Sequence, residues 1–194
     1  GQLPVFSIPS YAVPSLLTLP AFAVLGLACG LLGVAFNRGL IAALNIFARL
    51  SARGVLAASA CVGAAIGLMG WFVPLSIGGG HDLAEVVLGG HIALAAIPLW
   101  FAARVVLTMV SYGTGAPGGI FAPLLVLGAL IGLAIGQIAH LVAPAAIPQP
   151  AIFAVVGMAA YFAAIVRAPL TGIVLIIEMT GNYAQMLPLL VSCF

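Results

Sequence analysis

Charged side chains are nearly missing from this chain: 4% of its 194 residues carry one, against 65% that are hydrophobic. A soluble domain carries roughly a quarter charged residues. Five basic and three acidic side chains cannot cover a water-facing surface of this size. The scarcity excludes a soluble globular fold and points to an integral membrane protein. Lysine is absent altogether, and the net charge of +2 comes from scattered arginines. Without a basic tract there is no electrostatic footprint for nucleic acid. Cysteine is sparse too. Cys29, Cys61 and Cys193 are odd in number and set in apolar runs, where they read as small core residues and not as a disulfide frame or metal site. His81, His91 and His140 lie far apart without an HExxH spacing, so neither a metal nor another cofactor is expected. No spacing suggests a nucleophile paired with a base, and the chain is not expected to be an enzyme. Strict polar–apolar alternation is missing as well, which argues against a transmembrane β-barrel.

What is there is a series of apolar runs cut by glycine and proline. At about 20 apolar residues per spanning helix, the chain has room for roughly six to eight membrane segments, some of them short. Residues 4–20 form a proline-punctuated lead-in. Residues 21–50, proline-free with Arg38 and Arg49 toward their later part, read as one long tilted helix with a wet end. A polar break at Ser51, Arg53 and Gly54 precedes a span over 55–73, where Gly63 and Gly67 have the spacing that permits close helix contact. Residues 76–80 read as a loop; 81–88 are too short to span, and Asp82 is placed to cap them. A further span covers 92–112, with Arg104 inside it. Residues 124–142 carry Gly128, Gly132 and Gly136 in a GxxxGxxxG register, read as packing residues. A proline loop, an apolar run over 151–166, a break at Arg167-Ala168-Pro169, a half-length piece over 170–179 and a last segment from Tyr183 complete the chain. The expected fold class is all-α: a polytopic membrane protein with tilted, broken and re-entrant helices, in one transmembrane domain over 1–194. The chain opens with Gly1, shows no signal-peptide pattern and stops inside an apolar segment at Phe194, so it reads as a fragment of a longer protein.

Residues 111–123, Ser-Tyr-Gly-Thr-Gly-Ala-Pro-Gly-Gly-Ile-Phe-Ala-Pro, concentrate the interruptions. Glycine and proline bar a helix through the segment, so one can begin only where it ends. The first N–H groups of a helix have no partner within it, and a helix start attracts anions. The N–H groups of Ile120 and Phe121 would be among those donors. Gly118 and Gly119 let the backbone approach a ligand, and Pro123 suits a first turn, where its missing N–H costs nothing. No cationic side chain lies in the segment. A cradle of neutral dipoles binds a small anion without trapping it, which conduction requires. Broken helices at membrane depth line cavities and mark substrate sites in transporters. A plain re-entrant turn fits the same residues, and so does a broken-helix permease for another small solute or anion.

Here the sequence resembles a known family. Gly-Ile-Phe-Ala-Pro at 119–123 is similar to the GxFxP motif of the CLC chloride channels and transporters, and 114–119 to the Ser-Gly-Ala-Pro-Gly-Gly pattern of its bacterial members. The run from Arg167 through Glu178 to Thr180, with Asn182-Tyr183, resembles a second family stretch, and 76–80 a family glycine loop. The resemblance implies transmembrane chloride transport, by a channel or a proton-coupled antiporter, with chloride held on the N–H groups of Ile120 and Phe121. Family subunits have two inverted halves, and this chain resembles the second, C-terminal one. The missing N-terminal half would carry the GSGIP serine motif, the G-[KR]-E-G-P motif with its gating glutamate, and the internal proton-transfer glutamate; an anion-contacting tyrosine would follow Phe194. The resemblance further implies a homodimer in lipid through helices near 170–190, in a bacterial inner membrane. Inverted symmetry sets Phe121 in the place of the gating glutamate, as an apolar wall, and Met179 at the proton-transfer position. Thr114 imitates the serine motif, but its place in the second half removes it as an anion ligand.

Three charges remain. An intramembrane carboxylate is a functional candidate by default. Glu178, late in an apolar half-helix, is read instead as a buried structural charge satisfied by backbone or by an arginine. Arg167, at a helix break, is read as another structural charge that sits near water or bonds free carbonyls. Arg104, deep in an apolar run, is read as paired in a buried site or as snorkelling, ahead of an aqueous vestibule where it would concentrate anions.

Overall fold

The computed structural model describes residues 18–76, 78–115, 118–181 and 183–194. The proline-rich lead-in falls almost wholly outside them, as do Ile77, Ala116, Pro117 and Asn182. Among the described residues the chain forms eight α-helices and no strand.

Helix α1 (Leu19–Ala48) starts earlier than the apolar pattern indicates, because Pro20 suits a first turn. Its 30 residues rise about 45 Å, more than a hydrocarbon core of about 30 Å, so it crosses tilted or projects. Arg38 on its later half and Arg49 just past its end are exposed. Ser51 does not merely break the chain. Its hydroxyl accepts from the Gly54 N–H at 3.2 Å and caps α2 (Ala52–Phe72). No residue of α2 is buried, and a methyl on Gly63 or Gly67 would meet nothing within 4 Å. Among the described residues no helix makes the close contact that this spacing permits at Gly63 and Gly67. Cys61, Val62, Ala65 and Ile66 face Val106, Leu107 and Val110 across a gap of ≈ 300 Å³, and the two glycines point off that face.

Helix α3 (His81–Leu88) buries Leu83, Ala84, Val87 and Leu88, an i, i+4 stripe. Its cap is Gly80, in the left-handed conformation, and not Asp82. Asp82 lies one position into the first turn, where its charge meets the positive end of the helix dipole. A turn at Leu94–Ala96 leads into α4 (Ile97–Gly113).

The core is α5 (Phe121–Val142) against α6 (Ile152–Val166). All of 152–163 is buried, so α6 is a central helix wrapped on every side. At 15 residues it spans only about 22 Å and cannot cross a bilayer alone. The two helices meet backbone to backbone. A methyl at Gly128, Gly132 or Gly136 would strike the carbonyls of Gly157, Phe153 and Pro150. The GxxxGxxxG register is thus a packing seam. Phe22 of α1 stacks on Phe153, centroids 4.1 Å apart. Arg167 ends α6 at φ 60°, Pro169 opens α7 (Pro169–Thr180), and Gly181 ends it. Helix α8 (Met186–Cys193) returns to α1, where the Ser192 hydroxyl donates to the Phe22 carbonyl at 2.9 Å.

Leu94–Gly113, α1, α2 and α5 are each long and apolar enough to span. Leu27, Leu31, Trp71, Leu99 and Val142 stand exposed on the outside. Such side chains suit lipid and not water. The fold is an all-helical integral membrane architecture with four candidate spans and shorter, broken helices packed among them.

Candidate functional site

Gly118 and Gly119 lie outside any helix, and α5 begins directly after Ile120. Ile120 takes the cap position with φ −84° and ψ −15°, and no side chain caps the helix. The first backbone bond of the helix runs from Leu124 N–H to the Ile120 carbonyl at 3.1 Å. Pro123 has no N–H to offer. Among the described residues no acceptor meets the N–H groups of Ile120, Phe121 or Ala122. Three donors therefore point out of the helix start, where the backbone partial charge is positive. Gly118 and Gly119 are exposed, and a methyl on either would meet nothing within 4 Å, so the approach to the donors is open. The Phe121 ring packs edge-on to Phe162 of α6, centroids 5.5 Å apart.

Two parts of the chain brace this helix start, both through α4. Arg104 is 4% exposed, and its guanidinium donates to the Gly78 carbonyl at 3.0 Å and the Leu75 carbonyl at 3.3 Å. It thereby pins the glycine loop. Gly79 passes so close to α5 that a methyl on it would lie 3.2 Å from Ala122 Cβ. Gly80, at φ 87°, has no room for a side chain, since one would stand 2.7 Å from both the guanidinium and Val126 Cγ2. The site differs from both preferred readings of Arg104: the guanidinium is buried and donates to main-chain carbonyls, with no acid beside it among the described residues. Eight residues further along α4, Tyr112 donates its hydroxyl to the Gly118 carbonyl at 3.0 Å. Thr114 donates to the Ser111 carbonyl at 2.6 Å.

The structure brings Gly118, Gly119, Ile120, Phe121 and Pro123 together by chain continuity, and adds Arg104 and Tyr112 as supports. It does not bring Glu178 or Arg167 to them as buried charges. Both are exposed in this chain. Helix α7 buries Gly172, Ile173, Ile176, Ile177 and Thr180, and Glu178 falls on its opposite, outward face. No ion pair reaches Glu178 among the described residues. Arg167 occupies the left-handed turn that ends α6, which turns its side chain outward. The charge in α4 signals a buried need for acceptors, but nothing in the sequence says which carbonyls supply them. Tyr112 carries no signal at all.

A family profile described as "Voltage gated chloride channel" matches residues 1–194. The chain is 42% identical over 196 residues to the H(+)/Cl(-) exchange transporter ClcA of Vibrio parahaemolyticus serotype O3:K6, covering 100% of this chain and 42% of that protein. It is 37% identical over 197 residues to the protein of the same name from Salmonella paratyphi A, covering 100% and 41%. Among solved structures it is similar to a slow cyanobacterial Cl-/H+ antiporter, with TM-score 0.94 and 39% identity over 100% of this chain and 45% of that one. The chain thus spans less than half the length of the relatives it matches.

Proposed function

The chain belongs to the voltage gated chloride channel family, and from that premise we propose that the whole protein moves chloride across a membrane, seating the ion on the N–H groups of Ile120 and Phe121. The observation that carries this reading is the uncapped start of α5, with donors that meet no acceptor among the described residues. Neutral N–H groups at the positive end of a helix attract a halide, and without a cation in contact they release it again. The Arg104 guanidinium is engaged with the carbonyls of Gly78 and Leu75, and its positive charge adds to the field that draws an anion toward this region. The Phe121 ring, held against Phe162, gives the seat an apolar wall. Gly118, Gly119 and Pro123 shape the approach.

The relatives' names favour exchange of chloride for protons over simple conduction. The glutamates that the resemblance assigns to gating and proton transfer are not among these residues. In this reading the chain is the C-terminal half of the pore domain and supplies the anion's seat, not its coupling. A homodimer through α7 and α8 is part of the proposal: Leu170, Val174, Met186, Leu187 and Leu190 are exposed there as an apolar outer face. The membrane is a bacterial plasma membrane.

The test is chloride flux through liposomes holding the full-length protein, unmodified and with the backbone amide of Ile120 or Phe121 replaced by an ester. The ester removes one N–H and keeps the side chain. Hydrogen bonds to charged groups contribute about 1.5–3 kcal/mol, so chloride affinity should fall about tenfold or more. Uptake of a neutral solute with indifference to chloride would favour a permease instead.

A further inference from the structure

We infer that Tyr112 is a positioning residue of the anion seat, an inference that rests on the function proposed above. The peptide between Gly118 and Gly119 is flanked by two residues without Cβ atoms, and a methyl on either would meet nothing within 4 Å. Such a plane rotates at little cost, and no neighbour's bulk opposes the rotation. In a trans peptide the carbonyl of one residue and the N–H of the next point in opposite directions, and no cis bond occurs among the described residues. Rotating the plane would swing the Gly118 oxygen, the negative end of the peptide dipole, from one side of the segment to the other. Among the described residues one contact fixes its present direction: the Tyr112 hydroxyl donates to that oxygen at 3.0 Å.

The direction matters because the donors of Ile120 and Phe121 follow immediately. A carbonyl turned toward their side would repel the anion they attract. With the oxygen tied to Tyr112, the Gly119 N–H faces away from α4 and the negative end of the dipole is kept off the seat. Tyr112 can do this because it lies in the last turn of α4, six residues before its acceptor, so Gly118 lies within reach of the helix that precedes it. It never touches the ion. Its effect is on the fraction of protein whose seat is correctly oriented, which appears as affinity and not as turnover.

Tyr112→Phe deletes the hydroxyl and keeps the ring. One neutral hydrogen bond biases a two-state plane by about fivefold. In liposomes holding the full-length protein, the chloride concentration giving half-maximal flux should rise about two- to fivefold, because apparent affinity follows the fraction of correctly oriented seats, with the saturating rate and the melting temperature unchanged. An unaltered half-maximal concentration would overturn the inference. A fall in saturating rate together with a lower melting temperature would also overturn it, because that pattern marks a merely structural tyrosine. If the unmodified protein shows no chloride-saturable flux, the proposed function itself fails, and that result is distinct from a Tyr112→Phe protein that matches the unmodified one.

Discussion

Removing the Arg104 guanidinium would take from the carbonyls of Leu75 and Gly78 the donor that ties them together at a part-buried site. Arg104→Met keeps the aliphatic stem and loses both bonds, so the full-length protein should lose about 3 kcal/mol of stability. Arg104→Lys should recover only part of that, because one ammonium cannot reproduce a planar fork between two carbonyls. Thermal melting in detergent reads both, and a loss under about 0.5 kcal/mol for the methionine variant would show that the loop is held by something else. Tyr161 presents the opposite case. It is fully buried, packs edge-on to Phe36 at 6.2 Å, and its hydroxyl has no partner among the described residues. Tyr161→Phe keeps the ring contact and removes an unpaired polar group, so stability should hold or rise by about 1 kcal/mol. A clear loss would reveal an acceptor contributed from outside the described residues.

At the scale of helices, two glycine stripes that look alike in sequence behave differently. Gly132 faces the backbone of Phe153 and Ala154 with no space between them, whereas Gly67 faces open surroundings. Gly132→Leu must therefore push α5 off α6 and should cost at least about 3 kcal/mol or prevent folding. Gly67→Leu should change stability by less than about 0.5 kcal/mol. Equal effects on the melting temperature would mean that α2 packs through Gly67 in the full-length protein. The spacing of small residues was legible in both stripes; the direction each stripe faces was not, because that depends on which side of the helix a neighbour occupies. Helix positions were legible from proline and glycine punctuation. Their ends moved by a few residues where capping decided, as at Pro20 and Ser51. Asp82 was misplaced for a related reason: Gly80 ends its turn in a left-handed conformation that sets the helix start one step before the acid.

Taken as a whole molecule, the seat and its supports differ in how far they could be read from sequence. The segment 118–123 announces itself, because consecutive glycines and a proline before an apolar run leave few structures open to the backbone. The Arg104 acceptors lie 26 and 29 residues away in sequence, and only the fold brings them together. Glu178 lies on the exposed, outward face of α7 in this chain, a direction that a carboxylate in an apolar run does not announce. The same fold sets a limit on what this chain can do by itself. Two or three N–H groups at one helix end cannot replace the hydration shell of a halide, and the relatives are more than twice as long as the chain. In the proposed function the remaining ligands come from polypeptide outside residues 1–194. Liposomes carrying residues 1–194 alone should therefore pass no more chloride than protein-free liposomes, while the full-length protein conducts a flux that saturates with chloride. Co-expression of the rest of the polypeptide with residues 1–194 should restore that flux if the two parts reassemble. Chloride-saturable flux from residues 1–194 alone would refute the shared seat, since the donors at Ile120 and Phe121 would then belong to a pathway complete within these helices.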